Sequence, residues 1–268
     1  MMKKIIYLLF LGLVLVQCED VIDVDLDDAA PRLVIDARLE LLEDGSSRNT
    51  VLLTRSSGFF EEVNPLVSDA IVFVTDGNGV DYDFTYDAQR EIYVNETIAI
   101  TNDLDYTLTV LDGDQRYTAI QRLVSTVPLT DVEQEEVTGF GDFVQVTSFF
   151  EDPPEFGNNY LFTYEDPDNF QVDVSDDEFI NGNRTPNVFF IEELEPGTQI
   201  QLTITGIDAQ AFRFFETLIQ QTADGGGGPF DTQPATVRGN IINATNRDQF
   251  PFGYFRVAQV FELDYVSQ

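Results

Sequence analysis

Between Arg32 and Val124, turn signals recur at short, regular intervals, and apolar residues alternate with polar ones between them. That pattern confines this part of the chain to β-structure. Leu33, Ile35, Ala37, Leu39 and Leu41 alternate with Arg32, Asp36, Arg38 and Glu40; only Val34 breaks the polar side. A side-chain period of two sends one set to a core and the other outward. Asp44-Gly45-Ser46 reads as a turn, and residues 49–54 and 70–75 read as the next strands. Asp76-Gly77-Asn78-Gly79 is a tight hairpin signal, with 80–86 returning from it. Residues 91–95, 105–111 and 116–124 continue the run. About seven short strands in roughly ninety residues predict an immunoglobulin-like or transthyretin-like β-sandwich over residues 31–126.

Residues 126–129 read as a linker into a second β-rich domain, 127–268. Within it, 142–149, 160–164, 188–191, 199–204, 236–242 and 253–265 read as strands, and 166–187 reads as loop. Over 209–222 the period changes. Ala211, Phe212, Phe215, Leu218 and Ile219 recur at three and four, predicting one amphipathic helix with Asp208 as its N-cap. The glycine run 225–228 lacks the preceding strand and following Lys-Ser/Thr of a phosphate loop and reads as a connector.

The composition removes most chemistries. The chain has 268 residues, a formal charge of −34, no His, no Trp and one Cys. Its two lysines are Lys3 and Lys4, so twelve arginines are the only basic side chains beyond them. Without His, and without Lys beyond Lys4, the body has no Ser-His-Asp or Cys-His nucleophile, no Schiff-base lysine, no Cys/His zinc site and no His-ligated haem or copper. Carboxylates, hydroxyls, Tyr, Arg and oxygen-bound hard metals remain. The charge argues against nucleic acid as a partner. A hydrophobic content of 43% with 23 Phe and 10 Tyr supplies a core despite that charge.

Lys3 and Lys4 precede a twelve-residue apolar run, 5–16, closed by Leu15-Val16-Gln17-Cys18. The run is shorter than the ~20 residues a membrane-spanning helix needs. It reads as a signal peptide, 1–17, ending in a lipobox, although Gln17 departs from the usual small residue. Cys18 is the expected lipidation site, and its acyl chains would anchor the protein in a membrane. Residues 18–30 read as an acidic tether beginning Glu19-Asp20.

Several segments together resemble one family. They are the acidic start after Cys18, Arg32-Leu33-Val34-Ile35-Asp36, Asp152-Pro153-Pro154 leading to Asn159-Tyr160, and the Phe-rich helix ending in Gln220-Gln221. Pro229-Phe230 through Gly239-Asn240-Ile241 to Gly253-Tyr254-Phe255 completes the set. The resemblance is to the Bacteroidota outer-membrane lipoproteins grouped as domain of unknown function 4249, and it spans nearly the whole chain. It implies that Glu19 and Asp20 act as a surface-export signal. It also implies an accessory role, because members are typically encoded beside a TonB-dependent transporter of the SusC kind. It brings no catalytic residues.

Three acidic clusters invite a calcium reading: Asp76, Asn78, Asp81 and Asp83; Glu165, Asp166, Asp168 and Asn169; and Asp173, Asp176, Asp177 and Glu178. None has the EF-hand order, and with 48 acids clusters also arise by chance. The expectation is therefore no resident cofactor, with calcium the one candidate. Phe59 and Phe60, on a loop with Glu61 and Glu62, are candidates for a partner or ligand surface. Phe156, Phe250, Phe252, Tyr254 and Phe255 could join such a platform or fill the cores. The functional expectation is a non-enzymatic surface lipoprotein serving a transporter. A carboxylate-based glycan hydrolase is the alternative, and a calcium-stabilised adhesin a weaker one.

Overall fold

Alternation at period two is carried into the structure by β1 (Leu33–Leu41), whose residues 33, 35, 37 and 39 are all buried. β1 pairs antiparallel with β2 (Ser47–Arg55) on one side. On the other it pairs parallel with the last strand, β15 (Phe252–Val266). The computed structural model describes residues 30–58, 63–137, 143–222 and 237–268. Pro31–Gln268 forms one compact unit.

The strands between are β3 (Ile71–Asp76), β4 (Asp81–Asp87), β5 (Ile92–Asn95), β6 (Asp105–Asp112), β7 (Gln115–Arg122) and β8 (Leu129–Val137). Then come β9 (Phe143–Glu151), β10 (Asn159–Glu165), β11 (Phe170–Asp176), β12 (Arg184–Glu192), β13 (Gln199–Gly206) and β14 (Ile242–Asn243). The one helix among the described residues is α1 (Ala209–Thr222). Twelve strands form a continuous ladder, β11-β10-β13-β15-β1-β2-β5-β4-β3-β6-β7-β14, and β12-β9-β8 form a separate sheet. The protein is mainly β, and its cores lie between packed faces of these sheets.

There are two principal cores. In the first, Ile35 and Leu39 of β1 and Val51 of β2 meet Val74 of β3 and Leu108 and Val110 of β6. In the second, Val146, Phe150 and Ile191 of the small sheet pack on Tyr160, Phe162 and Ile204 of the large one. β15 serves both. Its odd residues Phe255 and Val257 lie in the first core, and Phe261, Leu263 and Tyr265 flank the second. At ~3.3 Å per residue its fifteen residues span roughly 50 Å, enough to run past both. Chain order and core membership therefore part at the carboxyl end. Ile241, Phe255 and Val257 fall within the expected second domain, 127–268, yet pack in the first core.

Close backbone approaches at the start of β15 need glycine. Gly253 has φ +96°, and a Cβ there would lie 2.0 Å from the Ile35 carbonyl oxygen. Without a side chain at this position β15 can start its pairing against β1. Gly239 sits against the Gly253 carbonyl, where a Cβ would fall 1.7 Å away.

Three local expectations are corrected. Residues 166–187, expected as loop, contain β11 and the start of β12. β11 borders the large sheet and has no fully buried residue, so its alternation is weak. β8 lies where the linker was expected to lead straight to 142. It is an acid-rich edge strand with only Leu129 buried, and edge charge hides strands from pattern reading. The strand expected over 236–242 shrinks to Ile242–Asn243. Asn240 instead offers its side chain to β15: its Nδ2 donates to the Phe255 carbonyl at 2.7 Å, and its Oδ1 accepts from the Phe255 N–H at 2.9 Å.

Asp208 caps α1 as expected. Its Oδ1 accepts from the N–H of Gln210 at 2.8 Å and of Ala211 at 2.7 Å. The helix buries Ala211 and Phe214, beside Leu161 and Tyr254; Leu218, assigned to the apolar face, is 38% exposed.

Candidate functional site

One face of the large sheet remains open beside α1. Residues of equal parity on adjacent strands line up there because the register is in phase: Asp36, Arg38 and Glu40 of β1 pair with Tyr254, Arg256 and Ala258 of β15. On β15 the ladder continues through Val260 and Glu262 to Thr205 and Thr203 of β13, then to Leu161 and Thr163 of β10 and Val172 of β11. α1 adds Phe215, Leu218, Ile219 and Thr222 along one rim, and Arg90 and Ile92 lie at the far side. The resulting cleft has a volume of about 610 Å³, within the ~300–1,000 Å³ usual for small-ligand sites.

Its floor changes chemistry across the strands. Near the helix it is apolar, with Leu161 and Val172. Next come hydroxyls, where Thr163 and Thr203 share a hydrogen bond of 2.5 Å. At β15, β1 and β2 it is ionic. Arg38 grips Asp36, its Nε donating to Oδ1 at 3.1 Å and Oδ2 at 3.0 Å. Arg48 lies 2.7 Å from both Glu40 and Glu262. Arg256 sits between, 3.7 Å from Asp36 and 3.4 Å from Glu40, with its side chain only 10% exposed. Its Nε is buried without a hydrogen-bond partner.

The titration directions follow that layout. Burial raises the Asp36 carboxyl, but Arg256 and Arg38 outweigh it and hold the group below its usual range. Burial opposes the charge on Arg48 too, yet Glu40 and Glu262 leave it raised. Arg256 is lowered: burial is the largest influence, Arg38 adds repulsion, and Asp36 and Glu40 do not restore the balance. The buried guanidinium is thus the undercompensated charge of the cleft.

The sequence did not single out this group. A signal was present, since Arg256 interrupts the otherwise uncharged run Tyr254-Phe255-Arg256-Val257-Ala258. What it lacked was the pairing of β15 with β1, which brings Arg256 to Glu40 across 216 positions of sequence.

Of the residues the sequence did single out, Cys18, Glu19, Asp20, Phe59 and Phe60 lie outside the described residues. Asp76 closes its hairpin, Oδ1 accepting from the N–H of Asn78 and of Val80, both at 2.9 Å. Asp81 and Asp83 point outward from β4, and Asp81 accepts from the Thr75 hydroxyl at 2.6 Å. Asp166 closes its own turn, accepting from the N–H of Asp168 at 2.8 Å and of Asn169 at 2.7 Å. Asp173 accepts from the Asn187 side chain at 2.8 Å, and Asp176 from the Glu178 N–H at 3.2 Å. Asp177 clamps the 157–158 loop, accepting from Gly157 at 2.7 Å and Asn158 at 2.9 Å. Among the described residues no group of three or more Asp, Glu, His or Cys is placed to share a metal ion.

The aromatic candidates divide. Phe255 and Tyr254 are buried. Phe250 is stacked between the guanidinium groups of Arg32 and Arg238, 4.0 and 3.9 Å from its ring centre. Phe156 is 79% exposed. Phe179 is 88% exposed on a loop that Asn181 ties to the Pro154 carbonyl at 3.2 Å.

A mainly β chain with a capped helix beside an amphipathic cleft is the class these features define. Residues 19–264 match the model of the family described as a domain of unknown function, DUF4249, and the chain belongs to that family. Among curated proteins no relative matches. Solved structures it is similar to include a cytokine receptor complex, at 14% identity and a TM-score of 0.25, covering 67% of this chain and 85% of that one. A two-domain fibronectin type III segment of chicken tenascin matches at 12% identity and a TM-score of 0.21, covering 67% and 91%.

Proposed function

We propose that this protein is a lipid-anchored, surface-facing module of the outer membrane that binds a small ligand without transforming it and serves a TonB-dependent transporter. The observation that carries the binding reading is the cleft beside α1, where Asp36, Glu40 and Glu262 each meet a guanidinium. A hydrolytic carboxylate pair needs one member held protonated as a general acid, which means a raised pKa. Asp36 is displaced the other way and so does not fill the general-acid role. Ion-paired walls beside an apolar wall suit recognition. The anchor rests on the lipobox ending at Cys18, and the transporter on the family resemblance.

The test is affinity purification of the tagged chain from native membranes, alongside a Cys18→Ala variant. The parent should fractionate with the outer membrane and bring a transporter with it, and the variant should be soluble. Recovery of the parent without a transporter removes the accessory role. Unchanged fractionation of the variant removes the lipid anchor. Release of reducing ends from a glycan panel by the purified chain would establish hydrolysis instead.

A further inference from the structure

We propose that the cleft beside α1 takes an amphipathic monocarboxylate, its carboxylate on Arg256 and its apolar body along Val260, Val172, Phe215 and Ile219. The assignment rests on reading that cleft as a ligand site and adds the chemical class of the ligand.

Three observations converge on it. The first is the unsatisfied donor. A guanidinium carries five N–H donors in a rigid fork. Arg256 uses few of them: its Nε has no partner, and its approaches to Asp36 and Glu40, at 3.7 and 3.4 Å, are long. Charge-assisted pairs usually close to about 2.7–2.9 Å. The neighbouring acids are already committed, Asp36 to Arg38 and Glu40 to Arg48. A buried, undercompensated cation calls for an acceptor that bears charge, and a planar carboxylate matches the guanidinium fork.

The second is local charge. Four of the chain's twelve arginines, Arg38, Arg48, Arg90 and Arg256, line this one cleft, opposite four acids. The cleft is formally neutral on a chain of −34. A monoanion therefore meets no net negative lining there, unlike on the rest of the chain, and would bring the cleft to −1. A dianion such as a phosphate monoester would set its second charge against Asp36 and Glu40, which flank Arg256.

The third is the graded floor. Across the strands from β15 to β11 the lining passes from Arg256 through Thr203, Thr205 and Thr163 to Leu161 and Val172, while Phe215 of α1 reaches back over Arg256, its ring centre 6.0 Å from the guanidinium carbon. A ligand lying along that gradient must be polar at one end and apolar at the other.

The probe for the test is 11-(dansylamino)undecanoate with the full chain, followed by dansyl emission; the chain has no Trp to interfere. Decanoate should displace it at least tenfold more effectively than 1-decanol, and decyl phosphate should do worse than decanoate. Arg256→Gln should weaken decanoate at least tenfold and leave 1-decanol within about twofold. Ile219→Tyr, which narrows the cleft from the helix side, should weaken both; this variant keeps the test decisive if Arg256→Gln does not fold. Equal displacement by decanoate and decanol, or an Arg256→Gln variant with parental preference, overturns the carboxylate assignment and leaves the cleft as a ligand site. A probe that does not bind, or that binds Ile219→Tyr as it binds the parent, overturns both.

Discussion

Asp208 joins the helix to two strands, and its removal has a calculable consequence. Oδ1 accepts from the N–H of Gln210 and of Ala211 and from the Tyr254 hydroxyl, the last at 3.0 Å. Oδ2 accepts from Gln121 Nε2 of β7 at 2.8 Å. Asp208→Ala removes all four at once. Loss of an N-cap costs about 0.5–2 kcal/mol. Stranding a buried donor costs about 1–3 kcal/mol, and Tyr254 is 2% exposed. Gln121, whose Nε2 already lies 3.4 Å from that hydroxyl, can turn its amide oxygen toward it and recover part of the loss. The expected destabilisation is therefore roughly 2–4 kcal/mol. At about 2–4 °C per kcal/mol for a chain of this size, melting should fall by roughly 4–16 °C.

Burial, followed by the Asp208 charge and hydrogen bond, pushes the Tyr254 phenol up, so it remains a neutral donor at any working pH. Asp208→Asn keeps the capping oxygen and should cost under about 1 kcal/mol. Tyr254→Phe in the Asp208→Ala background should restore part of the loss, because the stranded hydroxyl is gone. Urea melts followed by circular dichroism on the four members of the cycle read both quantities. A loss below about 0.5 kcal/mol for Asp208→Ala, or additivity between the two changes, would falsify the account of α1 as pinned through its cap.

Gly253→Ala should destabilise by more than about 2 kcal/mol, since it places a Cβ on the Ile35 carbonyl at a positive φ; an unchanged melt would show that β15 can shift without cost. Asp36→Asn should be less stable than the parent at pH 7, and the gap should close in acid. Its carboxyl is lower in the folded state, so its contribution is present above the unfolded value near ~3.9 and is lost as pH falls through the folded one; a gap that stays constant from pH 7 to pH 2 contradicts this. Phe156→Ser with Phe179→Ser should leave stability within about 0.5 kcal/mol, because both rings are exposed, while reducing transporter recovery. Full recovery would clear that surface of a docking role.

What the sequence determined by itself is local. The alternation of 33, 35, 37 and 39 reads directly as the buried face of β1, because a pleated strand sends successive side chains to opposite sides. Asp76 to Gly79 reads as a hairpin and Asp208 as a cap, because each depends on hydrogen bonds spanning only two to four residues. β8 and β11 were illegible for a related reason. Both lie at sheet edges where one side has no strand to cover it, so acids and half-buried residues blur the period. The cleft was beyond any local reading. Period two states which side of a strand faces a core, and it is silent about which strand lies alongside. Only the parallel pairing of β15 with β1, permitted by the bare backbone at Gly253, sets Arg256 between Asp36 and Glu40. The burial and the missing hydrogen bond of that guanidinium exist only once the chain has closed on itself.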